Sequence, residues 1–454
     1  MDKGLYGAPD LFRRTTGLAF LLAMAASIAA AQSDDQRIKE LEQRVEELDQ
    51  RLRVSDRRKE LGDENAATKA RTAPVVNADG PFAIRSNDGS FSLRFGADLQ
   101  VDNRTFIGGR PLPSTDQILL RRVRPSLSGT IYKSIDFYIR PDFGQGNTVL
   151  YEAYVQFNYF RWANLRVGKF KPPVGLERLQ SDDDTNFVER GLPTLLVPSR
   201  DIGYQVSGDF FKRKLTYAVG AFNGVPDNGL SDASPSRHRD YTGRIFLTPL
   251  SSDKHTLGIG IGATSGNVDG IALPAFKSFG QNTFFTFASG VTSFGHRTRL
   301  APQAYYYYGP AGIVAEYTVS EEGFQKGSVR RDIAFRSWQV QASYLLTGER
   351  KAFGTLSPRK PFDPKNHTWG AFELAIRMSD FSADPGIYNY GFATTATTPS
   401  HAHEWVGGVS WYLNRMTRVT LDYANTNFGG GAVASAGGNR PTERALIHRF
   451  QVNF

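Results

Sequence analysis

From Phe91 onward the chain alternates. In the stretch FSLRFGADLQV, Phe91, Leu93, Phe95, Ala97, Leu99 and Val101 fall on one face, and Ser92, Arg94, Gly96, Asp98 and Gln100 fall on the other. Successive side chains of a strand point to opposite faces, whereas a helix repeats every ~3.6 residues, so this period of two predicts β-structure. A membrane strand needs about 9–11 residues, and the run is long enough to be one. The pattern recurs to the C-terminus. It predicts strands near 91–106, 118–132, 135–143, 149–159, 163–170, 202–211, 213–222, 239–249, 255–265, 296–308, 311–319, 334–347, 367–380, 402–414, 417–427 and 444–454. These sixteen strands make an even number, as closed bacterial barrels require.

The joints alternate in length as well. Those at Lys133-Ser134, Phe160–Trp162, Lys212, Leu250–Lys254, Gly309-Pro310 and Arg415-Met416 are tight. The segments 171–201, 223–238, 266–295, 320–333, 381–401 and 428–443 are long. Short periplasmic turns with long outer loops are the barrel arrangement. One joint departs from it: 348–366 has 19 residues where a short turn is expected, which leaves a strand open to miscounting there. Aromatics reach 12% and glycine numbers 45, the mixture that aromatic strands and glycine turns produce. No uninterrupted stretch of 18 or more apolar residues follows the N-terminus, which excludes a helical membrane protein, because a spanning helix needs about 20. A soluble sandwich would also alternate, but it would bury its apolar face. Cysteine is absent, which excludes disulfides, a thiol nucleophile and Cys-ligated metal. The last residues, Arg449 to Phe454, alternate and end on an aromatic, the ending that the barrel-assembly machinery recognises in many outer-membrane proteins.

Ahead of the barrel, Arg13 and Arg14 precede the apolar run Gly17–Ile28, and Ala29-x-Ala31 fits signal peptidase. Residues 1–31 are expected as a signal peptide cleaved after Ala31, with a short membrane anchor as the alternative. Ile38, Leu41, Val45, Leu48 and Leu52 are spaced 3, 4, 3 and 4, the seam of a coiled coil. A helix over 32–61 this short needs copies of itself, unless it is a solvated single helix. Residues 62–84 are polar at first, without period, and read as a linker to a barrel domain over 85–454. The net charge of +9 is uneven: residues 32–64 hold 8 basic and 11 acidic side chains, leaving about +11 on 65–454. That sign points to anionic solutes or an anionic membrane surface. Export weighs against nucleic acid.

Several blocks resemble the phosphate-selective porin O and P family. They are RRVRPSLSGTIYKSIDFYIRPDFGQG (121–146), LRVGKFKPPVGLERLQS (165–181), VPSRDIGYQVSGDF (197–210) and YAVGAFNG (217–224). Further blocks are APQAYYYYGPAGIVAEYTVS (301–320), QASYLLTGE (341–349), AFELAIRMSDF (371–381) and WYLNRMTRVTLDY (411–423). They run in family order across the barrel. The resemblance implies a sixteen-stranded barrel, homotrimeric, with a third loop folded inward to narrow an anion-conducting pore.

Transport needs no nucleophile, general base or cofactor. It needs fixed charges in a watery lumen that favour one ion and release it again, and phosphate is recognised by guanidinium forks and ammonium groups. Parity assigns the lumen. Leu127 and Ile131 outward put Arg122, Arg124, Ser126 and Ser128 inward. Phe137, Ile139 and Phe143 outward put Arg140 and Asp142 inward. Val155 and Phe157 outward put Glu152, Tyr154 and Gln156 inward, and Leu165 with Val167 outward puts Arg166 inward. Arg122, Arg124, Arg140 and Arg166 are thus the expected basic stripe, with the carboxylates of Asp142 and Glu152 beside them. A mixed, solvated set of lumen charges is the alternative, since Asp98 and Asp102 also face inward. In GKFKPP, strict alternation sends Lys169 and Lys171 toward lipid, which is costly for a charge. Pro172 and Pro173 end the strand, and the resemblance brings this region to the constriction. Lys169, Lys171 and Arg178 are therefore expected as eyelet cations, with a solvated external loop as the alternative.

Other clusters carry less. His401, His403 and Glu404 have metal-ligand character but no further ligand in view. Asp182–Asp184 could hold a cation through oxygens, or be a solvated acidic run. Tyr305–Tyr308 fits a strand end entering an aromatic girdle. No metal site and no catalytic arrangement stands out. The expectation is an all-β chain: a 16-stranded antiparallel transmembrane β-barrel with a short N-terminal periplasmic coiled-coil helix. It would be a passive channel of a Gram-negative outer membrane passing small phosphate-like anions, surrounded by lipid and lipopolysaccharide. A general diffusion porin with weak ion selectivity is one alternative; an adhesin or structural barrel is another.

Overall fold

A strand with one charged and one apolar face needs water on one side and something unlike water on the other. The computed structural model, which describes residues 12–72, 74–77, 82–108, 115–234, 236–271, 273–431 and 440–454, meets that need with the charged faces inside. The chain divides into two units, at Ala73 and Pro74.

The second unit is built from β1 (Ser92–Phe106), β2 (Gln117–Ile131), β3 (Ile135–Asp142) and β4 (Val149–Phe160). It continues with β5 (Ala163–Phe170), β6 (Asp201–Phe210), β7 (Leu215–Phe222) and β8 (Asp240–Ser251). Then come β9 (His255–Asp269), β10 (Thr292–Tyr308), β11 (Ala311–Lys326) and β12 (Val329–Leu345). The last are β13 (Ala371–Ala383), β14 (His401–Tyr412), β15 (Thr417–Gly429) and β16 (Glu443–Asn453). Each pairs antiparallel with the next, and β16 returns to β1 through Phe450 and Val101, so the sheet is closed and has no edge. Burial is the inverse of a soluble protein's. On β1, Asp98, Gln100, Asp102 and Arg104 are buried, while Leu93, Phe95 and Leu99 are exposed. An apolar belt outside and polar groups inside is what a lipid environment selects.

All sixteen expected strands are present, with two differences. The segment 320–333 is not a loop: β11 and β12 run on to Lys326 and back from Val329, joined through Gly327 at φ 59°. Its outward residues, Glu321, Arg330 and Asp332 among them, are exposed and polar, because the strands rise past the apolar belt. No strand was miscounted at 348–366. The connection from β12 to β13 turns into the barrel instead: Phe353 stacks on Tyr305 at 5.3 Å, and Lys351 reaches Glu373 and the side chain of Asn186.

A short hairpin, Pro74–Asn77 with Ala83–Ser86, pairs onto the start of β1. Beside it Phe454 closes the barrel, its N–H donating to the Ala97 carbonyl at 3.1 Å and its ring 6.1 Å from that of Phe82. The first unit is helix α1 (Phe12–Thr72). No proline lies between Pro9 and Pro74 to break it, and Ala66, Ala67 and Ala70 favour continuation through 62–72, where an aperiodic linker was expected. Pairs such as Glu47–Arg51 and Asp49–Arg53 lie one turn apart. The seam Ile38, Leu41, Val45, Leu48 and Leu52 is 53% to 64% exposed. No described helix is long and apolar enough to cross a membrane, which says nothing of the strands.

Candidate functional site

Proline has no N–H for a sheet ladder, and at Pro172-Pro173 the chain leaves the wall. The segment 171–200 crosses the interior. Its short helix α2 (Leu176–Leu179) meets the far wall, where Glu316 of β11 accepts hydrogen bonds from the N–H groups of Leu176 (2.9 Å) and Glu177 (3.2 Å). The chain then reaches β15 and β16. Asp422 accepts from the Val188 N–H at 2.7 Å, and Arg418 donates to the Thr185 carbonyl at 2.8 Å. Leu192, Leu195 and Leu196 next join an apolar cluster with Phe276, Phe285, Phe335 and Phe381, which fills part of the interior near the long loops.

Asp182 is the centre of the crossing. Its buried carboxylate accepts hydrogen bonds from Arg124 of β2 and Arg190 of its own segment, with Arg122 3.8 Å and Arg200 3.9 Å away. Burial alone would raise the Asp182 pKa, but Arg190, Arg124, Arg122 and Arg200 outweigh it and hold the group well below the usual carboxylate range. Arg124 also binds Asp142 at 2.7 Å, and Arg200 binds Glu152 at 2.8 Å. Both guanidiniums lie over the Tyr151 ring, 3.8 and 3.9 Å from its centroid. Glu189 forms a second centre, bound by Arg121 through both oxygens (2.6 and 3.0 Å) and by Arg104 at 2.9 Å.

Two cavities abut this ionic layer. One, of about 590 Å³, lies toward the short turns and is lined in part by Arg140, Glu152, Tyr154, Arg166, Lys171 and Arg244. The other, of about 360 Å³, lies toward the long loops and is lined in part by Arg122, Arg124, Asp142, Tyr151, Arg178 and Glu189. Adjacent residues of one strand, Tyr151 and Glu152, line different cavities. The carboxylates lining them are ion-paired: Glu152 with Arg200, Asp209 with Arg161, Asp142 with Arg124, and Glu189 with Arg121. Four cations instead donate to neutral acceptors. Arg166 binds Gln156 Oε1 (2.7 Å), Arg244 binds Gln303 Oε1 (3.0 Å), and Lys171 binds the Gln180 carbonyl (2.7 Å). Arg178 binds the Thr194 carbonyl (2.5 Å) and Asn228 Oδ1 (2.6 Å).

Arg122, Arg124, Arg140 and Arg166 face inward as parity predicts, as do Asp142 and Glu152. Lys171 and Arg178 join them from the crossing segment. Lys169 does not, and its expected place at the constriction is corrected. It pairs with Ile202 of β6, in the outward register of exposed Tyr204, and its ammonium binds Asp232 at 2.6 Å. Alternation holds through Phe170, so the turn inward comes two residues too late for it. The histidine cluster also dissolves: His401 and His403 are exposed, whereas Glu404 is buried on the opposite face and bound to Arg377. Asp182 is taken up by arginines, and no group of metal-ligand type gathers among the described residues. Tyr306 and Tyr308 face outward as girdle residues, but Tyr305 and Tyr307 belong to an interior apolar cluster.

Parity misses two residues for a single reason. Bulges place Arg121 and Tyr151 as the extra residue of β2 and β4, the first between the Gln100–Arg122 and Val101–Leu120 pairs, the second beside Pro141. The adjacent arginines Arg121-Arg122 were the available signal. Arg244 was within reach of parity, since exposed Tyr241 and Ile245 flank it on β8. Arg190 and Arg200 lie in a loop, where no periodicity exists to read.

A closed sixteen-stranded barrel with an apolar outer belt, a charged interior and a segment folded across it defines a porin. Such a protein is a channel of the Gram-negative outer membrane and not an enzyme. The family profile of phosphate-selective porin O and P matches residues 92–454, and the chain belongs to that family. Porin O of Pseudomonas aeruginosa is 23% identical over 379 residues, covering 77% of this chain and 86% of that protein. Among solved structures, the anion-selective porin from Comamonas acidovorans shares the fold at a TM-score of 0.51 and 11% identity, covering 80% of this chain and 100% of the other. The outer membrane channel DcaP of Acinetobacter baumannii does so at 0.53 and 10%, covering 80% and 98%.

Proposed function

We propose that the chain passes small anions, phosphate-like ions among them, along the wall of β2 to β8 through the layer around Asp182. One observation carries this reading. The carboxylates facing the two cavities are matched by arginines, while Arg166, Lys171, Arg244 and Arg178 rest on neutral acceptors, so the surplus charge along the path is positive. The family's description and the anion selectivity of the Comamonas acidovorans porin agree with it. The pairing of so many arginines favours a second reading, a general diffusion porin of weak ion preference. Reversal potentials of the reconstituted protein in a potassium chloride gradient separate the two. A chloride-to-potassium permeability ratio well above one, with chloride current blocked by phosphate, supports the first; a ratio near one supports the second.

The same reading assigns residues 1–31 as an export signal cleaved after Ala31, Phe454 as the handle for the barrel-assembly machinery, and a homotrimer set in lipid and lipopolysaccharide. N-terminal sequencing of outer-membrane material should begin at Gln32, and the protein should run as a heat-modifiable trimer.

A further inference from the structure

The cavity near the short turns contains more than charge. Tyr138 of β3 and Tyr154 of β4 stand side by side on its wall, ring centroids 5.5 Å apart, and Phe170 of β5 continues the row at 6.0 Å from Tyr154. Around that row lie Arg166, whose guanidinium carbon is 4.3 Å from the Tyr154 centroid, together with Lys171 and Arg244. In the other cavity the Tyr151 ring is buried beneath Arg124 and Arg200, whereas Tyr154 meets Arg166 alone among the described cations and, like Tyr138, remains half-buried.

A bare inorganic anion gains nothing from these rings. Phosphate or chloride is held by cations and hydrogen-bond donors, and a neighbouring aromatic face only removes hydration. An anion with a planar apolar body uses both halves of the wall. Its carboxylate lies among the guanidinium and ammonium groups, and its ring lies against the tyrosines in an offset or edge contact. The cavity volume of about 590 Å³ falls within the ~300–1,000 Å³ of small-molecule sites, which combine apolar walls with a few placed polar groups.

We propose that this cavity is a binding site for organic anions with an aromatic body, aromatic monocarboxylates being the class it takes; the proposal rests on the anion-channel reading above. The test uses the full-length protein in planar bilayers, with benzoate and acetate as probes of chloride current. Benzoate should half-block at a concentration about tenfold lower than acetate, the size of effect that one or two aromatic contacts supply. Tyr154→Leu should bring the two within about twofold, while Tyr154→Phe should keep the difference. Tyr138→Leu serves in its place if Tyr154→Leu fails to reach the membrane. Equal block by benzoate and acetate in an anion-preferring wild-type pore overturns the proposal, and so does a Tyr154→Leu channel that keeps the full preference for benzoate. A wild-type pore that prefers cations would instead overturn the reading beneath it.

Discussion

The Asp182 carboxylate lies between Arg124 and Arg190 and accepts a hydrogen bond from each. It is an anion tethered to the crossing segment. Arg124 belongs to the wall and Asp182 to the segment, so one ion pair both fastens the segment and occupies the arginines. On the proposed path a passing anion would therefore compete with a ligand the protein supplies itself. Such competition favours release over tight binding, as conduction requires.

Asp182→Asn should remove that competitor. Anion preference should rise, and the phosphate concentration that halves chloride current should fall by about tenfold or more, since guanidiniums a few ångströms away regain their full attraction. The barrel should also lose stability by about 3–5 kcal/mol, the usual result of leaving buried charges unpaired. Thermal dissociation on gels and phosphate titration of single-channel current read the two effects separately. A variant with unchanged phosphate block would show that Asp182 is a fastener alone.

The surplus cations should be graded by their place. Two charges about 4 Å apart interact by about 1 kcal/mol in bulk water but about 4 kcal/mol at an effective dielectric near 20, so a charge on the crossing segment outweighs one in open water. Lys171→Gln and Arg178→Gln should each lower the chloride-to-potassium ratio by about twofold or more. Lys169→Gln should leave it unchanged, because Lys169 faces outward onto Asp232. Reversal potentials of the three variants, measured side by side, check the order.

Selectivity should depend on pH through Lys171. Burial above all, then Arg200 and Arg190, push its pKa well below the ordinary lysine value. A base with a lowered pKa keeps its charge at low pH and loses it early as pH rises. Anion preference should therefore decline, as pH rises, before a free lysine, of pKa about 10.4, would titrate. Lys171→Arg should remove the decline, since arginine stays charged. A wild-type ratio that stays flat up to that pH would mean Lys171 remains protonated or does not face the path.

The helix seam should act through self-association. Ile38, Leu41, Val45, Leu48 and Leu52 expose an apolar stripe that a second and third copy would cover. In the proposed trimer, deleting residues 36–55 should lower the temperature of dissociation without abolishing assembly. Unchanged dissociation in the deletion variant would assign the helix another role.

Strand order and most inward residues of β1 to β5 follow from the sequence because they depend on one local rule. A pleated strand alternates its faces every residue, so Arg122, Arg140 and Arg166 could be assigned by counting from Leu127, Ile139 and Leu165. The rule even placed Lys169 correctly outward, against the expectation that the prolines would redirect it. The tertiary structure decided what counting cannot reach. A bulge adds one residue and brings Arg121 or Tyr151 to the wrong side of the count, through hydrogen bonds to another strand. The segments 171–200 and 346–370 have no period, and their path is set by groups far away in the chain. Glu316 and Asp422 capture backbone N–H groups of the first segment, and Tyr305 stacks with Phe353 of the second. Alternation is a property of the strand itself, whereas the ionic layer around Asp182 exists only once the closed wall brings Arg122 and Arg124 to face the crossing segment.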